Sequence, residues 1–262
     1  MAKINEINQK TDFIKFLGTA GARFVMIKQL RASGGIWVSS EGNNLLIDPG
    51  PGSIVRCASS RPKLDPSKLD AIILTHKHLD HSNDINVMIE AMTEGGFKKR
   101  GVIFCPRDAI GDDPVIFNYA RALPESIEVL EAAKTYKLAS GFTFRTSMRH
   151  QHPAETYGLK FEIKGASVSL LADTKYFDEL NTFYRTDILI INVVFLEPRA
   201  GIQHLSLSDA ERLIRQLKPK KAILTHFGMT MVKADPALQA RVLSQKLGIE
   251  VLAAYDGMSF DL

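Results

Sequence analysis

Three histidines and an aspartate fall within six residues, His76-Lys-His78-Leu-Asp80-His81. They come directly after an apolar run, 71–75 (AIILT), which reads as a buried strand. Behind them, Ser82 reads as a helix N-cap with Asp84 in the first turn. Ile85, Met88, Ile89 and Met92 then share one helical face, and Gly95-Gly96 stops it. The cluster therefore occupies a strand-to-helix loop, where a rigid sheet can hold functional groups. Neutral imidazole and carboxylate are ligands for zinc and similar borderline cations. In extended chain His76 and His78 point the same way and can share one ion. Asp80 and His81 come where the chain turns and can face a second.

The rest of the chain supplies sheets for such a loop. Runs 13–17, 23–28, 36–39 and 45–48 read as short strands separated by Gly18, Gly21, Gly34, Gly35 and Gly42, and Asp48-Pro-Gly-Pro-Gly52 reads as a turn. Strands are also expected at 102–105, 142–148, 158–163, 168–172, 188–194 and 222–225, with 251–254 and 258–261 finishing the sheet. Residues 106–140 read as loosely helical and irregular. Ser206-Leu-Ser-Asp209 has the form of a capping box opening a helix with Leu207, Ala210, Leu213, Ile214 and Leu217 on one face. Asp235-Pro236 starts another, closed by Gly248. Strands interleaved with helices predict two packed sheets with helices outside. With no repeat or linker tract, 1–262 reads as one domain.

The longest near-apolar stretch, 188–196, holds nine residues including Asn192, and a membrane-spanning helix needs about 20. The polar N-terminus MAKINEINQK shows no signal-peptide core. Cys57 and Cys105 are far apart and form no CxxC pair, so a reducing, cytoplasmic setting is expected. The net charge of +4 is compatible with an anionic substrate without requiring one.

The H-x-H-x-D-H loop after a buried strand, followed by a lone His, a lone Asp and a last His at strand ends, resembles the metallo-β-lactamase fold superfamily over nearly the whole chain. That resemblance implies a four-layer αββα sandwich, two mixed sheets with helices outside. Asp48, in Leu45-Leu-Ile-Asp48-Pro-Gly, matches an early aspartate that supports the metal loop by hydrogen bonds. The next ligand is His150 or His152. In the ribonuclease Z-like branch it lies six residues before a strand-opening Gly, here Gly158, which favours His152. His150 is then a supporting residue lining the cleft, or exposed. Asp173, in Leu170-Leu-Ala-Asp173-Thr174, resembles the bridging aspartate. Ile223-Leu-Thr225-His226 repeats Ile73-Leu-Thr75-His76, fits two related halves, and marks His226 as the last ligand. His204 resembles a catalytic histidine of the ribonuclease Z-like branch, although Leu205 stands where an acidic residue is usual. Taken alone, Asp48 is a turn residue, Asp173 an N-cap, and His204 and His226 ordinary element-end histidines.

By this resemblance His76, His78 and His152 hold one divalent ion, Asp80, His81 and His226 hold a second, and Asp173 bridges. Zinc is the default, and Mn²⁺ or Fe²⁺ also suit these ligand types. Two ions sharing a water bring its pKa down towards about 7, and the hydroxide attacks phosphorus or a carbonyl carbon. Asp80 and His204 are the expected catalytic residues, His204 as general acid. Phe16-Leu-Gly-Thr-Ala-Gly21 and Arg31-Ala-Ser-Gly-Gly35 also resemble the ribonuclease Z and phosphodiesterase branch. A phosphodiesterase acting on a small-molecule, nucleotide or nucleic-acid diester is the first expectation. Fewer than fifteen residues separate Gly158 from Asp173, so the long tRNA-clasping arm is not inserted there, and Phe-Gly-Met-Thr after His226 lacks the usual Ser and Arg. The runs Lys98-Lys-Arg100 and Lys218-Pro-Lys-Lys221 read as solvated surface ahead of phosphate contacts. The alternatives are a carbonyl hydrolase (lactonase, thioesterase or glyoxalase II-like), which does not need His204, and a non-catalytic metal-binding protein. No membrane partner is expected, and a homodimer is left open.

Overall fold

The computed structural model describes residues 12–261. The polar stretch read above as lacking a signal-peptide core lies outside the described residues. Six strands, β1 (Phe13–Phe16), β2 (Ile36–Ser40), β3 (Asn43–Ile47), β4 (Ala71–Ile73), β5 (Val102–Cys105) and β6 (Ser126–Val129), build most of a first mixed sheet. Seven more, β7 (Thr135–Lys137), β8 (Thr143–Arg149), β9 (Tyr157–Ile163), β10 (Ala166–Leu171), β11 (Ile188–Asn192), β12 (Lys221–Thr225) and β13 (Glu250–Ala253), build the second. The last strand, β14 (Ser259–Asp261), returns to the first sheet and pairs with β1. The two final runs thus close the outer edges of opposite sheets and do not finish one.

Both sheets follow the same plan. In the first, β14, β1, β2 and β3 are antiparallel neighbours and β3 to β6 run parallel. In the second, β7 to β10 are antiparallel and β10 to β13 parallel. Strand β3 therefore corresponds to β10, β4 to β11 and β5 to β12. The halves are related, but the two Ile-Leu-Thr-His segments sit after non-equivalent strands, β4 and β12. The corresponding pair is Leu45-Leu-Ile-Asp48 and Leu170-Leu-Ala-Asp173.

Side-chain alternation separates the layers. Leu45, Ile47, Ile73, Leu170, Ile190 and Ile223 meet between the sheets. Their neighbours Leu46, Ile72 and Leu74 turn outward onto Ile85, Met88, Ile89 and Met92 of one helix, and Leu171, Leu189 and Ile191 onto Ala210, Leu213, Ala240 and Leu243 of two others. Strands buried on both faces read as continuous apolar runs for this reason. The helices, in order, are α1 (Ala22–Ile27), α2 (Ser53–Ser59), α3 (Leu79–Ser82), α4 (Ile85–Met92), α5 (Leu180–Phe183), α6 (Leu207–Leu217), α7 (Met229–Lys233) and α8 (Pro236–Leu247).

Three local expectations are corrected. Residues 23–28 fall in α1 and its C-cap and not in a strand: both edges of the preceding strand β1 are taken, by β2 and β14, so the run finds no free edge beside it. It folds into a helix that buries Val25 and leaves Phe24 and Ile27 exposed. Ser82 ends α3 and caps nothing; its hydroxyl donates back to the carbonyls of Lys77 and His78. Residues 106–140 contain β6 and β7, edge strands whose exposed, polar alternation carries little apolar signal. Among the described residues no helix is long and apolar enough to cross a membrane.

Candidate metal centre

The C-terminal ends of the parallel strands meet at one rim, and the chemistry-bearing residues stand there. Asp48 follows β3, the His76–His81 loop follows β4, Asp173 follows β10, Asn192 ends β11 and His226 follows β12. The loop is fixed from below. The Thr75 backbone N–H and hydroxyl donate to Asp48 Oδ1 and Oδ2, each at 2.7 Å. His81 Nδ1 donates to Asp48 Oδ2 at 3.0 Å, which leaves Nε2 for the cleft. Asp48 and His226 both take left-handed backbone, with φ of 53° and 60°, a strained setting for residues other than glycine. His226 also needs a bare neighbour, because a Cβ on Gly21 would stand 2.1 Å from its carbonyl oxygen.

Both expected ligand sets come together, and two further groups overlap them. His76, His78 and His152 form one group of mutually close potential ligand atoms and Asp80, His81 and His226 another; Asp48, His76 and His81 form a third and His152, Asp173 and His204 a fourth, every pair within 4.8 Å. His152 Nε2 is 3.0 Å from His78 Nδ1, and His226 Nε2 is 2.9 Å from His81 Nε2. Asp80 Oδ2 lies 3.4 Å from His226 Nε2 and 3.7 Å from His81 Nε2. Asp173 Oδ2 lies 3.5 Å from His81 Nε2, 3.8 Å from His76 Nε2 and 3.4 Å from His204 Nδ1. Donors bound at about 2.0–2.1 Å to a tetrahedral ion stand about 3.3 Å apart, so the spacing fits metal ligation. Buried His76 Nε2, His204 Nδ1 and His226 Nδ1 have no hydrogen-bond partner, which is unusual unless a cation satisfies them.

Protonation agrees with that fit. Burial, reinforced by neighbouring histidines, holds His76 well below the usual imidazole range, and His78, His152 and His204 are lowered chiefly by burial. Burial opposes charge on Asp80 and Asp173 too, but His81 and His226 around the first, and His226 and His204 around the second, hold both far below the carboxylate range. His81 is the exception. Burial lowers it, and Asp80, Asp48 and Asp173 together outweigh that and raise it well above normal. Neutral imidazoles and ionised carboxylates are the forms that ligate.

His150 belongs to none of these groups and is not exposed. It is 3% accessible, donates Nδ1–H to the Asp173 carbonyl at 3.1 Å, and accepts at Nε2 from the Tyr184 hydroxyl at 2.5 Å. His152 Nδ1 donates to the Gln203 carbonyl at 3.0 Å, which aims Nε2 at His78. Asn192 Nδ2 donates to Asp173 Oδ1 at 2.8 Å. Asn192, Tyr184 and Gln203 carry no motif that assigns them a role. A signal existed for Asn192, the one polar side chain in an apolar run, since a buried amide needs a partner. The basic runs pair elsewhere: Lys98 with Glu94, Arg100 with Asp70, Lys220 with Asp187 and Lys221 with Glu250.

Facing sheets with outer helices and a His/Asp cluster at their common rim define the metallo-β-lactamase fold, and the chain belongs to that superfamily. The family described as the beta-lactamase superfamily domain matches residues 43–227, a span that takes in all four candidate groups. An uncharacterized protein of Methanocaldococcus jannaschii is 31% identical over 258 residues, covering 95% of this chain and 94% of its own. Ribonuclease Z of Thermococcus kodakarensis is 24% identical over 293 residues, covering 92% of each. Among solved structures, the metallo-β-lactamase fold protein YhfI from Bacillus subtilis superposes with a TM-score of 0.78 at 21% identity, over 96% of this chain and all of that one. A diphosphatase of the PhnP family gives 0.72 at 19% identity, over 96% and 97%.

Proposed function

We propose that this chain is a binuclear metal-dependent phosphodiesterase. Members of its superfamily are metal-dependent hydrolases, and its His/Asp groups could bind metal. The observation that carries the finer reading is the position of Asp173 Oδ2 between His76 of one ligand group and His81 of the other. His76, His78 and His152 would hold one ion and Asp80, His81 and His226 the other, with Asp173 shared. Zinc is the first choice, with Mn²⁺ or Fe²⁺ as alternatives. When bound, such a pair supplies Lewis-acid stabilisation and hydroxide at neutral pH.

The chain's own residues do the rest. Asp80, ionised and at the cleft, accepts a proton. His204, 18% exposed at its side chain and 3.4 Å from Asp173, delivers one to the leaving oxygen. Asp48 and His150 keep the loop and Asp173 in place. The diester reading is supported by His204 and by the similarity to ribonuclease Z and the PhnP-family diphosphatase. The reading includes one domain across the chain and a cytoplasmic setting, with Cys57 and Cys105 free and buried. A substrate panel on the metal-loaded protein tests it. Bis-p-nitrophenyl phosphate should be cleaved faster than thioesters or lactones; the reverse order would move the assignment to a carbonyl hydrolase, and no turnover of any ester would leave a metal-binding protein.

A further inference from the structure

The two sheets each end their first parallel strand in a carboxylate, and each holds it from the next strand. In the first sheet Thr75, beyond β4, serves Asp48; in the second Asn192, the last residue of β11, serves Asp173. The devices differ in how many oxygens they occupy. Asp48 has both oxygens engaged: Oδ1 takes the Thr75 N–H, and Oδ2 takes the Thr75 hydroxyl and His81. Asp173 receives the Asn192 amide on Oδ1, where His226 Nδ1 also stands at 3.4 Å, while Oδ2 alone reaches imidazoles of both ligand groups, His76 and His81, and also meets His204.

Resting on the binuclear reading above, we propose that Asn192 is a positioning residue that makes Asp173 a ligand through one oxygen shared by both ligand groups. A carboxylate on an aspartate turns easily, since its terminal torsion is broad and two-fold. An amide N–H can only be accepted by the carboxylate, so the bond pins Oδ1 to β11 and sends Oδ2 towards the cleft. Asn192 is 6% accessible, and its neighbours Ile191 and Val193 are fully buried, so the amide cannot swing away. Without it, both oxygens become free to serve one ligand group, and the other loses its share. At the corresponding place both oxygens of Asp48 carry hydrogen bonds, Oδ2 two of them, which favours support over ligation although Asp48 lies within 4.8 Å of ligand atoms of His76 and His81.

The test replaces Asn192 by leucine, close in size but without donors, and titrates metal-free protein with Mn²⁺ alone, followed by calorimetry and electron paramagnetic resonance. Wild type should take two ions and give the spectrum of a coupled pair. Asn192→Leu should keep the first affinity, because His76, His78 and His152 do not touch Asn192, and that retained affinity also reports correct folding. Its second affinity should fall about 10–100-fold, and the coupled spectrum should weaken at matched occupancy. If the variant binds both ions as wild type does, with the same spectrum, the role of Asn192 is overturned and the binuclear site stands. If wild type itself takes one ion, the binuclear reading fails, and this role with it. Should Asn192→Leu not fold, Asn192→Ser, smaller and with a hydroxyl donor of shorter reach, is titrated in its place under the same two criteria.

Discussion

His150 and His152 stand on one short segment and face different partners. His152 meets His78 and the Gln203 carbonyl, whereas His150 is sealed between Tyr184 and the Asp173 backbone. His152→Ala should strip or weaken the first ion, and His150→Ala should leave metal content nearly unchanged; metal analysis of both variants decides, and the opposite pattern would reassign the ligand. His150 has a second consequence. Burial first, opposed by the Asp173 carbonyl and charge, pulls it down to about 4, so the folded chain binds its proton more weakly than the unfolded chain does. Its contribution is full above pH 6.5 and is lost as pH falls from there towards 4, about 3 kcal/mol in all. The charged or titratable groups facing it are Asp173, His152 and Tyr184. In urea unfolding of metal-free protein, the stability gap between wild type and His150→Asn should narrow by about that much from pH 7 to pH 4; a constant gap would refute it. His204 is separable from the ligands in the same way. His204→Ala should retain both ions and lose about 10²–10⁴-fold in kcat on a diester with a poor leaving group, with a smaller loss for p-nitrophenolate. Loss of an ion would instead make His204 a ligand.

Helix α6 begins three residues after His204, and its N-cap Ser206 ties down the chain just beyond that histidine. Ser206 accepts from the Asp209 N–H, and Asp209 accepts in return from the Ser206 N–H. Ser206→Ala should cost about 1 kcal/mol in urea unfolding and lower kcat on the poor-leaving-group diester more than on p-nitrophenyl esters; unchanged stability would mean the box is idle. This helix was legible in the sequence, as were α4, α8 and the central strands, because each buries a face whose period shows. Elements with little to bury were not. The short α2, α5 and α7 carry weak patterns, and β6 and β7 lie at or next to sheet edges. The 23–28 run is apolar enough for a strand, but both edges of β1 beside it are taken by β2 and β14, which no local pattern records. The site divides likewise. The loop motif brought His76, His78, Asp80 and His81 into one reading, and their convergence with His152, Asp173, His204 and His226 is a property of the shared rim. Bonds such as Asn192 to Asp173 and Tyr184 to His150 join segments whose meeting depends on sheet order.

At the scale of the whole molecule, the proposed ligands come from both halves, so occupancy should hold the halves together. Two ions that bind the folded chain and not the unfolded one stabilise it by mass action, about 2.7 kcal/mol for each site at a hundredfold excess over its Kd. Zinc should raise the melting temperature of metal-free protein and a chelator should reverse it; no shift would argue against a native site. The pairing of β14 with β1 has a different consequence, one in time. Phe13 is matched to Asp261, and Asp256 binds the Thr19 and Ala32 N–H groups that shape the loop beside the cleft. At about 5–20 residues per second, β1 leaves the ribosome tens of seconds before its outer neighbour is translated. Until then the first sheet has an open edge, a surface that invites pairing with other nascent chains, and the glycine-rich loop against His226 has no anchor. A growing chain thus carries every proposed ligand through His226 before β1 gains its outer neighbour and the glycine-rich loop its Asp256 anchor.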